Sequence, residues 1–352
     1  MDLYELIKDI KPADKAAMAM AQKRWDSIAK PLGSLGALED AVIRIAGMTG
    51  SANVDLSKRT VIVMCADNGV VHQGVTQTGQ DVTAIVTENM GRAASSVCRM
   101  ARVAGAEVIP VDIGVARPVE GERIVQRCIR RGTADFTSGP AMSREECEKA
   151  ILTGIEMVAE QLEKGTKLFA TGEMGIGNTT TSSAVASVLL NKDAAEVTGR
   201  GAGLSSAGLE RKIDAIRRGI ELNKPDESDP IDVLSKVGGL DIAGLCGVFL
   251  GGAIYRVPVL IDGFISSVAA LCAARLCPAA ADYMLGSHAS AEPAGEMVIG
   301  ALGMKPFIYA GMRLGEGTGA VAVMPLLDMA LSIYGEMDTF EDISVDAYEH
   351  LK

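Results

Sequence analysis

From about residue 58 onward, short β-branched and aliphatic runs alternate with longer stretches in which apolar positions recur every three or four residues. That alternation predicts βαβ units, hence a Rossmann-like α/β fold with a mostly parallel sheet flanked by helices. The expected strands are TVIVMCAD (60–67), AEVIPVDIG (106–114), KLFATGE (167–173), VPVLIDGF (257–264) and KPFIYAGM (305–312). Each runs out near a Gly, Asp or Glu, and in open α/β sheets ligands bind where loops leave the carboxyl ends of strands. Long helices are expected over 81–105 and 143–165, the second opening on a Ser143/Glu146 capping box and closing at Gly165. The most apolar stretch, IAGLCGVFLGGAIYRVPVLI (242–261), is glycine-rich and interrupted by Arg256, which predicts a buried helix followed by a strand rather than a membrane span.

The first 58 residues lack a strand pattern. Met18, Ala21, Trp25 and Ile28 fall on one helical face, KPLGSLG (30–36) breaks it, and ALEDAVIRIAGMTG resumes it. The expected organisation is a small helical subdomain over 1–58, joined by the last helix (320–335), on an α/β catalytic domain over 59–335. An acidic surface extension follows over 336–352.

Composition narrows the ligand. With 48% hydrophobic and 4% aromatic residues, the 352-residue chain can bury a large aliphatic core. A net charge of −11 argues against nucleic acid or an anionic membrane as the main partner, so an anionic ligand must be held by local groups. Seven scattered cysteines, none spaced as CxxC, indicate neither a disulfide framework nor a structural zinc site. The amino terminus has no apolar signal core, and a cytoplasmic location is expected.

The chemistry concentrates in glycine-rich loops. In TGEMGIGNTTTS (171–182), Gly172, Gly177 and Thr179 match a phosphate-binding loop, but Asn178 stands where a nucleoside triphosphate site needs lysine. A monophosphate at the N-terminus of the following helix fits what remains, and ordinary capping by Asn178 or Thr179 fits it equally well. GEGTGA (315–320) fits GxGxxA but has too little chain after it to complete a dinucleotide site. Both turns carry a carboxylate, Glu173 and Glu316. TGRGAGLS (198–205) precedes a helix bearing Arg211 and Lys212, either phosphate neutralisers or solvated surface charges. LGSHASAEPAGE (285–296) offers Ser287, His288 and Ser290; with three histidines in the chain, no metal cluster is expected. ADNGVVHQGVTQTGQDVT (66–83) adds Asp67, Asn68, Thr76 and Gln80, the last two able to orient a ring or simply to serve a turn. Five such loops at strand ends suggest one pocket for a phosphorylated, ring-bearing ligand.

The ordered run KPLGSLG, ADNGVVHQGV, GEMGIGNTT, TGRGAG, GGLDIAGLCG, DGFI, SHASAEPAGE and LGEGTGA resembles the nicotinate-nucleotide:5,6-dimethylbenzimidazole phosphoribosyltransferase family over nearly the whole chain. One departure is Asn68, where a histidine is often seen. The resemblance implies transfer of the phosphoribosyl group of nicotinate mononucleotide to a benzimidazole-type base, with inversion at the ribose C1′ and no cofactor or metal. It places the catalytic base at Glu316 and a second active-site carboxylate at Glu173. Gly175, Gly201, Lys212, Ser290 and Leu314 then line the ribose phosphate together with Gly177, Asn178 and Thr179, while Thr76, Gln80 and Met174 lie near the base. It further implies a homodimer. The same chemistry on adenine, another benzimidazole or a phenol, or a noncatalytic nucleotide-binding subunit, are the competing readings.

Overall fold

The computed structural model describes residues 2–349. Six strands form one parallel sheet: β1 (Arg59–Ala66), β2 (Ala106–Gly114), β3 (Val125–Gln126), β4 (Leu168–Met174), β5 (Val259–Ile261) and β6 (Met284–Gly286), in the order β3-β2-β1-β4-β5-β6. Every residue of β1 is buried, as expected for a central strand covered on both faces. The strand order reverses between β1 and β4, and that crevice is where an open α/β sheet receives ligands.

Two expectations are corrected. The run at 305–312 is no strand of the sheet: it contributes one isolated parallel bridge, His288 to Ile308, and the edge is taken by the three-residue β6. Phe307 and Ile308 both direct their N–H groups at the Ser287 carbonyl, and Tyr309 then turns out to 70% exposure, so no ladder propagates. The helix expected over 81–105 is two helices, Asp81–Gly91 and Ser96–Val103, separated by a turn in which Ala93 takes φ 55°. Gly91 lies against Ile124, so the chain turns away there rather than continuing one straight helix.

The capping box at Ser143 forms as read, starting the helix Arg144–Glu163. That helix packs backbone to backbone against the helix Leu240–Ile254, buried from Leu240 through Ala253 and followed by β5. A β-carbon at Gly154 would sit 2.0 Å from the Gly244 carbonyl oxygen, so only glycine permits this approach. Helices Lys15–Ser27 and Ala37–Thr49 bury Ala21, Trp25, Ile28, Val42 and Ala46 with Ala330 and Tyr334 of the last helix, Thr318–Glu336, in a second, smaller core cluster. Among the described residues this last helix alone is long and apolar enough to cross a membrane; half of that apolar window is buried against the rest of the chain. Beyond it, Thr339 pairs with Ile28 and Phe340 is buried, while 350–352 lie outside the described residues.

Candidate active site

Glu173 and Glu316 line one pocket above the carboxyl ends of β4 and β5, walled by the loops at 75–78, 174–179, 200–204, 262–266, 288–292 and 313–316. Glu173 is the sixth residue of β4 and is 7% exposed. Burial, with the nearby Asp241 and Asp262 charges adding to it, pushes its carboxyl up to about 8 against the pull of its hydrogen bond from Asn178. The Asn178 amide nitrogen donates both to Glu173 Oε2 and to Asp241 Oδ2, the latter at 3.0 Å. Asp241 is fully buried in the first turn of Leu240–Ile254, and burial raises its carboxyl to about 6.

Glu316 adopts φ 62°, unusual for a residue with a side chain, between Gly315 and Gly317 at φ 90° and 96°. Asp262, the residue after β5, holds this turn: its carboxylate accepts from the N–H groups of Gly317 at 3.1 Å, Gly319 at 2.8 Å and Ala320 at 3.1 Å. It thereby caps the helix Thr318–Glu336 and fixes where Glu316 stands. The Glu316 side chain is part-buried, and its Oε2 accepts from the Val97 N–H at 3.0 Å, at the start of the helix that follows the Ala93 turn. His288, 5% exposed, lies against Gly319 and bonds Ser287 Oγ at 3.1 Å through Nδ1.

On the opposite wall, Lys212 is only 1% exposed, with Nζ donating to Thr179 Oγ1 at 2.8 Å and to the Gly199 carbonyl at 3.2 Å. Desolvation lowers its ammonium to about 8, with Glu292 opposing the shift. Of its alternative fates, surface solvation is therefore ruled out, whereas Arg211 is exposed and bonds the Gly74 carbonyl. Lys212 stands behind Thr179 and Gly201 rather than on the pocket surface itself.

Of the residues singled out from sequence, Glu173, Met174, Gly175, Gly177, Asn178, Thr179, Gly201, Ser290, Leu314, Glu316 and Thr76 all face this one pocket. Gln80 does not: its amide donates to the Asn68 carbonyl at 3.2 Å, tying the start of Asp81–Gly91 to the end of β1. Asp241, Asp262, Glu292, Arg200 and Arg313 were not anticipated, although Asp262 carries the same signal as Glu173, an acid at the carboxyl end of a strand. Phe264, Ile265, Val75 and Leu204 supply apolar lining suited to a ring. Among the described residues, no group of three or more His, Cys, Asp or Glu side chains is arranged to hold a metal ion.

The arrangement has relatives. A family model described as phosphoribosyltransferase matches residues 10–345. The chain is 48% identical to the nicotinate-nucleotide–dimethylbenzimidazole phosphoribosyltransferase of Acetivibrio thermocellus over 99% of both chains, and 48% identical to that of Ruminiclostridium cellulolyticum over the full length of both. Among solved structures it superposes on CobT from Thermus thermophilus with a TM-score of 0.90 at 36% identity, covering 95% of this chain and 100% of that one. Full-length similarity at this level, together with the shared sheet, shows that the chain belongs to the dimethylbenzimidazole phosphoribosyltransferase family.

Proposed function

We propose that this chain transfers the phosphoribosyl group of nicotinate mononucleotide to 5,6-dimethylbenzimidazole or a closely related base, giving an α-ribotide 5′-phosphate and nicotinate for cobamide assembly. The observation that carries this reading is the placement of two carboxyl groups, Glu173 and Glu316, on one pocket whose other wall hides the Lys212 ammonium behind Thr179 and Gly201. In an acidic protein that lysine, with Arg200 and Arg313 on the pocket wall, supplies the local counter-charge a phosphate needs. The ribose phosphate then lies along Gly175 to Thr179 and Gly201, with Ser290 and Leu314 at its flank.

The chemistry follows from charge balance. One benzimidazole nitrogen attacks C1′ from the face opposite nicotinate, the C1′–N bond to nicotinate breaks, and its electron pair returns to the pyridine ring. The attacking base must lose the proton on its other nitrogen, and Glu316, oriented by the Val97 N–H, is the acceptor. Positive charge developing on the ribose is met by the single negative charge of the group that Glu173 forms with Asn178 and the buried Asp241. Thr76 and Met174, with Phe264 and Ile265, contact the base; Gln80 acts through the Asn68 carbonyl. The protein works in the cytoplasm as a homodimer.

The test is a chromatographic assay of purified protein with nicotinate mononucleotide and, separately, dimethylbenzimidazole, adenine and a phenol. Ribotide and nicotinate appearing together support the reading and name the acceptor. Nucleotide binding without product from any base overturns it in favour of a binding subunit.

A further inference from the structure

The Asn178 amide nitrogen serves two buried carboxyl groups at once, Glu173 on the pocket wall and Asp241 behind it. The two acceptor oxygens therefore lie within two hydrogen-bond lengths of each other, with no cation between them. We propose that Asp241, acting through Asn178, is a positioning residue for Glu173: two carboxyl groups sharing one neutral donor have room for one negative charge, and Asp241 holds it, so Glu173 meets an incoming ligand as an acid.

The partition of the proton follows from where each carboxyl sits. Asp241 occupies the first turn of Leu240–Ile254, where backbone N–H groups and the helix dipole favour an anion, and the amides of Asp241 and Ile242 draw its carboxyl down. Glu173 sits at a strand end and has only Asn178 and the Glu316 amide on its side. The other groups facing it do not change the sign. Asp262, beyond β5, adds negative charge, although its carboxylate is engaged by three N–H groups and neighbours His288. Cys65 of β1 is fully buried with its thiol pushed up to about 12, hence neutral. Asp67, at the end of β1, is raised by burial and adds to the repulsion on Asp241. Two like charges this close titrate as a pair, in two macroscopic steps.

The arrangement has a consequence for the transferase reading on which it rests. A protonated Glu173 donates a hydrogen bond to a ribose hydroxyl or ring nitrogen in the ground state, without the desolvated charge that would compete with the substrate's phosphate for Lys212. Asp241 itself touches no ligand.

The proposal is tested on the full chain in two ways. Infrared difference spectra of the substrate-free protein at pH ~7 should contain a protonated-carboxyl band that disappears in Glu173→Gln and loses intensity in Asp241→Asn, whose neutral amide lets Glu173 ionise. In parallel, the kcat inflection of the wild type near pH ~8 should move down by about one unit or more in Asp241→Asn, a tenfold change in proton affinity per unit. A wild-type spectrum with no band lost in Glu173→Gln overturns the proposal, whether or not the variant at 241 folds. So does a uniform fall in kcat across pH with the inflection unmoved, which is what a merely structural Asp241 gives. The infrared arm needs no turnover, so failure of the transferase reading leaves it standing.

Discussion

Gly172 lies directly beneath Glu316: a β-carbon on it would be 2.4 Å from the Glu316 carbonyl oxygen. Because Glu173 is the next residue of β4, this contact couples the two carboxyl groups of the pocket through the backbone rather than through side chains. Gly315 closes the arrangement from the other side, where a β-carbon would meet Glu173 Oε1 at 2.4 Å. The loops of β4 and of the last helix are thus a single construction.

Gly172→Ala is expected to displace the 315–317 turn, since backbone cannot yield as a flexible side chain does. The reacting groups would shift by a fraction of an ångström to about 1 Å, lowering kcat by about 10²-fold while nicotinate mononucleotide still binds. Steady-state kinetics with separate titration of the nucleotide reads this.

Glu316→Gln removes the proton acceptor and keeps the side-chain shape, including an oxygen for the Val97 N–H. Turnover should fall by roughly 10²- to 10⁴-fold with the nucleotide KM little changed. A variant within threefold of the wild type removes Glu316 from that role.

Lys212 loses its charge on deprotonation, and its folded-state value is lowered to about 8. Only the ammonium attracts phosphate, so calorimetric titration at pH ~9 should show nucleotide binding about tenfold weaker than at pH ~7. Lys212→Ala should weaken binding at pH ~7 and abolish this dependence, leaving affinity for the base unchanged.

The stability of the fold should also carry the signature of Glu173. Its carboxyl is raised from 4.5 to about 8, so between these values the folded state binds more protons than the unfolded chain, and stability falls as pH rises. Glu173→Gln has no proton to lose. Its Tm relative to wild type should therefore climb from pH ~5 to pH ~8, as thermal melts across that range would show, and a constant offset would contradict the assignment.

Much of this was legible in the chain because the signals were local. β1, β2 and β4 are long runs bounded by turn residues, β5 is a short strand inside a longer apolar run over 257–261, and the capping box at Ser143 and Glu146 is written in two positions. The glycine loops were legible as ligand loops because glycine and hydroxyl residues cluster after strands. What escaped was decided by tertiary context. β3 and β6 are two and three residues long, too short for any periodicity, and the run at 305–312 has strand composition but meets only a single bridge. The break at Ala93 lies within a continuous helical pattern, yet it creates the helix start that presents the Val97 N–H to Glu316. Gly91 followed by Ser95 at the N-cap position was the signal that could have located it. Asp241 sits within the apolar helix and reads as an isolated polar residue; only the fold brings it to Asn178.

The most direct test of the central claim is the anomeric configuration and stoichiometry of the product, followed by proton NMR with nicotinate mononucleotide and dimethylbenzimidazole. A displacement at C1′ from the face opposite nicotinate predicts an α-configured ribotide and one nicotinate for each ribotide formed. Nicotinate released in excess of ribotide, or a product of retained β configuration, would contradict it.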